Sequence, residues 1–354
     1  MAPWTALGSL VAYFKARYGP AFFVKLNCAY YLVGLPIALA QQWVDEALDA
    51  ALGSTRVYLW RNVAALALAA VVLLALPLVD TEGVVLALVA LLGAVSWLAH
   101  GCCTTLAAMF PSAARAWLQT GFRLPELYTL AAVAVLDLGA QPNPTHLRLF
   151  IQATAALVLV GLAAWIRLVQ HPSTRALLKL KDQGGAASTS APAAAPEQED
   201  ETKEGAPLLP LAATASASSS SSPRLVVPLT EAEREFVEDV IRPSRHALFV
   251  TVASSIFVSS FLAYVRSPIT RRAYCICQTL YFVRLFSDLA GRPLATLLPR
   301  PRWLTSPASL LRTALARLLL AGLFFCYIGL PGIPQSDAFV TALVAVFSLL
   351  SGKS

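Results

Sequence analysis

Apolar residues in this chain come in long runs separated by short polar gaps. Runs at Phe22–Gln42, Asn62–Val79, Gly83–Phe110 and Leu147–Val169 come near or exceed the about 20 mostly apolar residues that carry a helix across a bilayer core. A weaker run lies between them at Glu126–Ala140, and three more follow a long polar gap, at Ala247–Val265, Ala273–Leu298 and Leu311–Leu330. The opening stretch Ala2–Phe14 and the closing stretch Ala338–Leu350 each offer only part of a span. Hydrocarbon cannot satisfy free backbone N–H and C=O groups, so the runs are expected as helices. The pattern predicts an all-α integral membrane protein, a multi-pass helical bundle with about nine or ten helices present.

The gap from His171 to His246 differs in kind. It holds Gly184-Gly185, an Ala/Ser/Pro tract, the acidic run Glu197–Glu204 and the serine run Ser218–Ser222. Such a composition buries too little apolar surface to fold, which predicts a disordered linker over 171–246 between an N-terminal helical half (1–170) and a C-terminal half (247–354). Within it, Thr230–Val240 reads as a short acidic helix, with Thr230 and Glu233 placed as a capping box.

Composition strengthens the membrane reading. Of 354 residues 57% are hydrophobic and 13% charged, and the mean hydropathy is +0.64. A soluble domain carries about a quarter charged residues. The net charge of +7 does not make a nucleic-acid surface, because most arginines stand at the ends of apolar runs. Arg167, Arg175, Lys179 and Lys181 flank the start of the linker, and Arg242 and Arg245 its end. Arg56 and Arg61, Arg115, and Arg300 with Arg302 mark basic loops an even number of spans away, so the linker is expected to face the cytoplasm. Arg148, Arg266, Arg271 and Arg272 depart from that pattern. Cys28, Cys102, Cys103, Cys275, Cys277 and Cys326 lie in or beside apolar runs, where cysteine behaves as a small hydrophobe. Neither a disulfide framework, a metal site nor a cofactor is expected, and Lys15 and Arg17 follow the first apolar stretch instead of preceding it, unlike a signal peptide.

Ionisable groups within spans are expensive and are functional candidates. Arg284, Asp288 and Arg292 recur every four residues on one helix face, where they either line a polar cavity or form a static internal ion pair. Asp137 reads as interfacial, Arg123 and Glu126 as solvated charges at a helix entrance, and Arg317 as pairing inward rather than snorkelling. His100 is either an interior hydrogen-bonding residue or a cavity wall. The small residues from Gly101 to Ala108 suit close helix packing, and Trp43, Trp60 and Trp165 read as interfacial anchors. The terminal SGKS lacks the upstream glycine of a phosphate loop, where Phe347 stands. No nucleophile–base pair occurs at enzyme spacing, so an enzyme is not expected.

SDLAGRPLATLLPRP, with Asp288, Gly291 and Arg292, and LLRTALARLLLAGLFFCYI, with Ala316-Arg317-Leu318, resemble the eighth and ninth helices of the equilibrative nucleoside transporter family. HGCCTTLAAMFPSAARAW resembles the fourth helix and the loop after it, AYYLVGLPIALA the second, and PWTALGSLVAYF the end of the first. The resemblance covers nearly the whole chain outside the linker.

That resemblance implies a major-facilitator-like 6+5 arrangement and facilitated diffusion of nucleosides or nucleobases by alternating access. It implies substrate contacts at Asp288, Arg292, Trp4 and His100, with Trp4 capping the pathway. It implies a nucleoside or nucleobase and the lipid bilayer as partners, with neither nucleic acid nor an obligate protein, at the plasma membrane. The chain departs from the family at Thr5, at Thr120-Gly121-Phe122-Arg123, at Leu285 and at Ser351-Gly352-Lys353. Half of the first helix and all of the eleventh are missing from the pattern, as expected either of a divergent paralogue or of an incomplete gene model. The alternative function is that of a non-transporting, degenerate membrane relative with a scaffold or regulatory role.

Overall fold

Each apolar run lies within or largely overlaps a helix in the computed structural model, which describes residues 2–110, 118, 121–122, 124–189, 242–265, 276–297, 307–330 and 336–351. The chain opens with α1 (Ala2–Ser9) and α2 (Val11–Tyr18), one helical path broken at Leu10. The break has a local cause: the Ser9 hydroxyl donates back to the Ala6 carbonyl at 2.7 Å, next to Gly8, and Gly/Ser pairs loosen the helical ladder. Then come α3 (Pro20–Leu52), α4 (Ser54–Ala75), α5 (Glu82–Ala108), α6 (Leu124–Leu136), α7 (Pro144–Gln170) and α8 (Pro172–Thr189). Beyond residue 241 lie α9 (Arg242–Phe261), α10 (Ile276–Leu297), α11 (Pro307–Gly329) and α12 (Asp337–Ser351). Helix α7 starts where the sequence provides a cap, Asn143 accepting from the Thr145 amide at 2.9 Å with Pro144 in the first turn.

Among the described residues five segments are long and apolar enough to cross a membrane: Pro20–Gln41, Ser54–Leu78, Glu82–Ala108, Pro144–Gln170 and Leu311–Gly329. Leu124–Leu136, Phe249–Tyr264 and Asp337–Leu350 are apolar but shorter. The expected span Ala273–Leu298 is helical over Ile276–Leu297 but does not join the five, because Arg284, Asp288 and Arg292 interrupt its apolar character.

Helices α1 to α8 pack mainly among themselves, α3 on α5, α4 on α5 and α7, and α1 on α6 and α7. Helices α9 to α12 do likewise, α9 on α11, α10 on α12 and α11 on α12. The two groups meet where α10 touches α1, α2 and α6, and where α9 touches α3. One apolar core runs through both groups, from Leu7 and Phe23 to Tyr281 and Phe347. Leu32, Val71, Val160 and Leu319 remain largely exposed on the outside, as a lipid-facing surface requires. Lipid offers no hydrophobic drive for helix pairing, so close approach must supply it. At the α3–α5 crossing, a Cβ on Gly93 would overlap the Tyr30 carbonyl oxygen. The small residues beyond it also pack: Cys102 is fully buried and accepts from Arg61 Nε at 2.9 Å.

Ion pairs tie α1–α8 together at both ends. At one end Arg17 pairs with Asp80 at 2.5 Å and Lys25 with Glu82 at 2.7 Å. Hydrogen bonds to Tyr13 and Asp80 push the Arg17 guanidinium above its ordinary range. A cavity of about 230 Å³ opens beside that pair, with Tyr13, Tyr18 and Arg148 in its wall. At the other end α3 continues beyond its apolar part to Leu52, and there Asp45 pairs with Arg61 and Asp49 with Lys181.

Two expectations are corrected here. The stretch 172–189, read as the start of the disordered linker, is helix α8, because Leu178 is fully buried and Lys181 finds Asp49. Trp165 is not an exposed anchor: it is buried and donates from its indole to the Tyr58 carbonyl at 3.2 Å, joining α7 to α4. Trp60 is 68% exposed, as an anchor should be. Residues 190–241 of the linker, with the helix expected at Thr230–Val240, and Thr120 and Arg123 lie outside the described residues, and the linker's last residues, 242–246, begin α9.

Candidate functional site

Helix α10 carries the charges and sits where the two groups of helices meet. Its Tyr281 hydroxyl donates to the Thr5 carbonyl of α1 at 3.2 Å, and its Gln278 side chain donates to the Leu138 carbonyl, just after α6, at 2.7 Å. The α1–α10 approach is tight enough that a Cβ on Gly8 would overlap the Tyr281 ring and hydroxyl. Helix α1 in turn presents Trp4 to α3. The indole stacks on Tyr30 with centroids 4.4 Å apart and meets Tyr31 edge-on at 5.2 Å, both favourable aromatic geometries.

Charge surrounds this aromatic cluster. Arg284 is near enough to Tyr31 and Tyr281 for its field to act on both hydroxyls, and Glu126 of α6 acts on Tyr281 as well. Arg284 and Asp288 both act on Arg317 of α11. Arg317 is fully buried, donates from Nη2 to the Ser255 hydroxyl of α9 at 2.6 Å, and lies over the Phe347 ring of α12 at 4.6 Å. Among the described residues its Nε and Nη1 have no hydrogen-bond partner. An incompletely satisfied buried guanidinium costs several kcal/mol in desolvation, so stability alone does not account for it.

The structure gathers some of the residues singled out from the sequence and separates others. Trp4 and Arg284 of α10 belong to one junction, linked through Tyr31. Asp288 is partly buried one turn beyond Arg284, and Arg292 continues the same helix, its side chain outside the described residues. His100 packs with Trp97 and Phe122, at centroid distances of 6.4 and 4.9 Å, and its Nδ1 has no hydrogen-bond partner among the described residues. Asp137 is exposed just past the end of α6, with φ of 50°, as an interfacial residue can be. Arg317 pairs inward and does not snorkel.

Glu126 corrects its expectation: only 6% exposed, it is not a solvated end charge. The first turn of α6 turns Leu124 and Leu127 outward and Glu126 inward. The apolar residues on either side of it were the available signal. Tyr281 lies one turn before Arg284 on α10, a spacing visible in the sequence, whereas Tyr31 carried no signal beyond membership of an aromatic run, since only the fold brings it to Arg284.

Protein-family models give no match to the chain, and a search of curated proteins finds no significant match. The fold and this junction define the class: a candidate multi-pass helical membrane protein with a polar, aromatic-walled junction between two groups of helices.

Proposed function

We propose that the chain is a facilitator that carries nucleosides or nucleobases across a membrane by alternating access. Its two groups of helices, in a major-facilitator-like 6+5 arrangement, rock about the junction at α10. The observation that carries the reading is α10 itself, a helix too charged to face lipid and held against α1, α2 and α6. A nucleoside has a flat base and a ribose whose hydroxyls both donate and accept. Trp4, Tyr30 and Tyr31 supply aromatic faces for the base, Arg284 and Arg292 supply donors, and Asp288 an acceptor. The unpartnered Nδ1 of His100 supports a further substrate contact from α5. The reading places the protein in the plasma membrane with its linker in the cytoplasm.

The test is uptake of radiolabelled uridine and adenosine by transporter-deficient cells expressing the full chain. Saturable uptake without an ion gradient supports a facilitator. No uptake of either from a chain shown to reach the membrane rejects the proposal.

A further inference from the structure

The α8 end of the bundle carries charge that neither the fold nor the proposed transport uses. Helix α8 follows the candidate span α7 after a break at His171–Pro172, where the backbone turns extended. Three contacts fix its inner face. Leu178 enters an apolar cluster with Tyr58, Cys102 and Trp165, Lys181 pairs with Asp49 at 2.5 Å, and Asp182 accepts from the Ser54 amide at 3.2 Å. Lys181 also reaches the Tyr58 hydroxyl at 3.2 Å.

Those contacts set the rotation of α8, with Arg175 and Lys179 on the flank that also carries Asp182, and Leu180 on the side away from Leu178. Arg175 and Lys179, one turn apart, are exposed, as are Arg167 at the end of α7 and Arg56 in the first turn of α4. Beside the two α8 cations Leu180 is 62% exposed. The same contacts set its depth. Ser54 and Tyr58 lie on α4 six and two residues before Trp60, about 9 and 3 Å along a helix rising 1.5 Å per residue. An exposed tryptophan at the end of a span marks the headgroup layer. Helix α8 therefore lies at headgroup depth, with exposed cations on one flank and an exposed apolar side chain on the side away from the bundle, the arrangement of a helix that rests in a membrane interface.

We propose that α8 is an interfacial helix that binds anionic phospholipid headgroups through Arg175 and Lys179, with Arg167 and Arg56 alongside. Leu180 enters the acyl boundary beside them. The site is independent of the transported substrate, so it stands or falls separately from the proposed transport.

The test is lipid retention by the purified full-length protein, measured by native mass spectrometry with phosphatidylserine and phosphatidylcholine. The wild type is expected to retain phosphatidylserine selectively. Each neutralised cation weakens that selectivity about fivefold, so Arg175→Gln with Lys179→Gln lowers it about twenty-five-fold. Arg175→Lys with Lys179→Arg keeps it. Equal retention of both lipids by the wild type, or undiminished selectivity in the double glutamine variant, overturns the proposal. Should that variant not fold, salt decides on the wild type: selectivity falling steeply with ionic strength supports the cations, and selectivity indifferent to salt overturns them. Displacement of the lipid by an equal concentration of inorganic phosphate would assign the cations to a soluble anion and also overturn the proposal.

Discussion

The Tyr281 hydroxyl donates to the carbonyl of Thr5 at 3.2 Å, a hydrogen bond between residues 276 positions apart that joins α10 to α1. If alternating access moves α1 against α10, this bond breaks in every cycle. Tyr281→Phe removes it without changing the ring. One neutral hydrogen bond is worth about 1 kcal/mol net, or about fivefold in rate. Saturated uptake by Tyr281→Phe is expected to rise up to about fivefold with KM unchanged. A raised KM would instead assign the hydroxyl to substrate binding.

Asp288 stands one turn from Arg284 and acts on Arg317, so it supplies negative charge to a region otherwise dominated by arginines. Asp288→Ala is expected to abolish uptake while leaving surface expression largely intact. Asp288→Asn keeps the shape and tests the charge alone. Surface labelling measured beside uptake separates lost transport from lost folding, and unchanged uptake removes Asp288 from the site.

Run length made the five long spans legible, because a bilayer demands the same apolar length wherever it is crossed. The charged face of α10 was legible too, since charges at every fourth position of an apolar run stand out. Helix α8 was not, because Leu178, Lys181 and Asp182 make sense only once Tyr58, Asp49 and Ser54 are known to face them. Trp165 and Glu126 failed for a related reason: a polar group near a span end looks the same in sequence whether it meets water or a neighbouring helix. Arg317 was read as pairing inward, but its partners Ser255 and Phe347 come from two other helices, and no spacing pointed to them.

The α3–α5 crossing positions Tyr30, and through it the Trp4 stack. A Cβ at position 93 would overlap the backbone oxygen of Tyr30, which cannot move without moving α3. Gly93→Leu is therefore expected to destabilise the protein by about 1–3 kcal/mol, an overpacking cost, and to lower the yield of folded protein in detergent. The surviving fraction should transport poorly, because the aromatic wall shifts with the helix. A melting temperature equal to the wild type would show that the two helices do not cross so closely.

Arg317 separates stability from function. Its guanidinium gains one hydrogen bond to Ser255 and a contact with Phe347 but leaves two nitrogens without a partner among the described residues, in a fully buried position. Replacing buried charges by apolar side chains of similar volume is often neutral or stabilising by about 1–4 kcal/mol. Arg317→Met is therefore expected to melt at or above the wild-type temperature and yet to lose uptake. Arg317→Lys keeps the charge but gives up the planar group that lies over Phe347, and should melt lower than either. The buried thiols of Cys102 and Cys277 allow melting to be followed with a thiol-reactive dye. A methionine variant that melts well below the wild type would mark Arg317 as a structural residue, and one that keeps full uptake would remove it from the transport pathway.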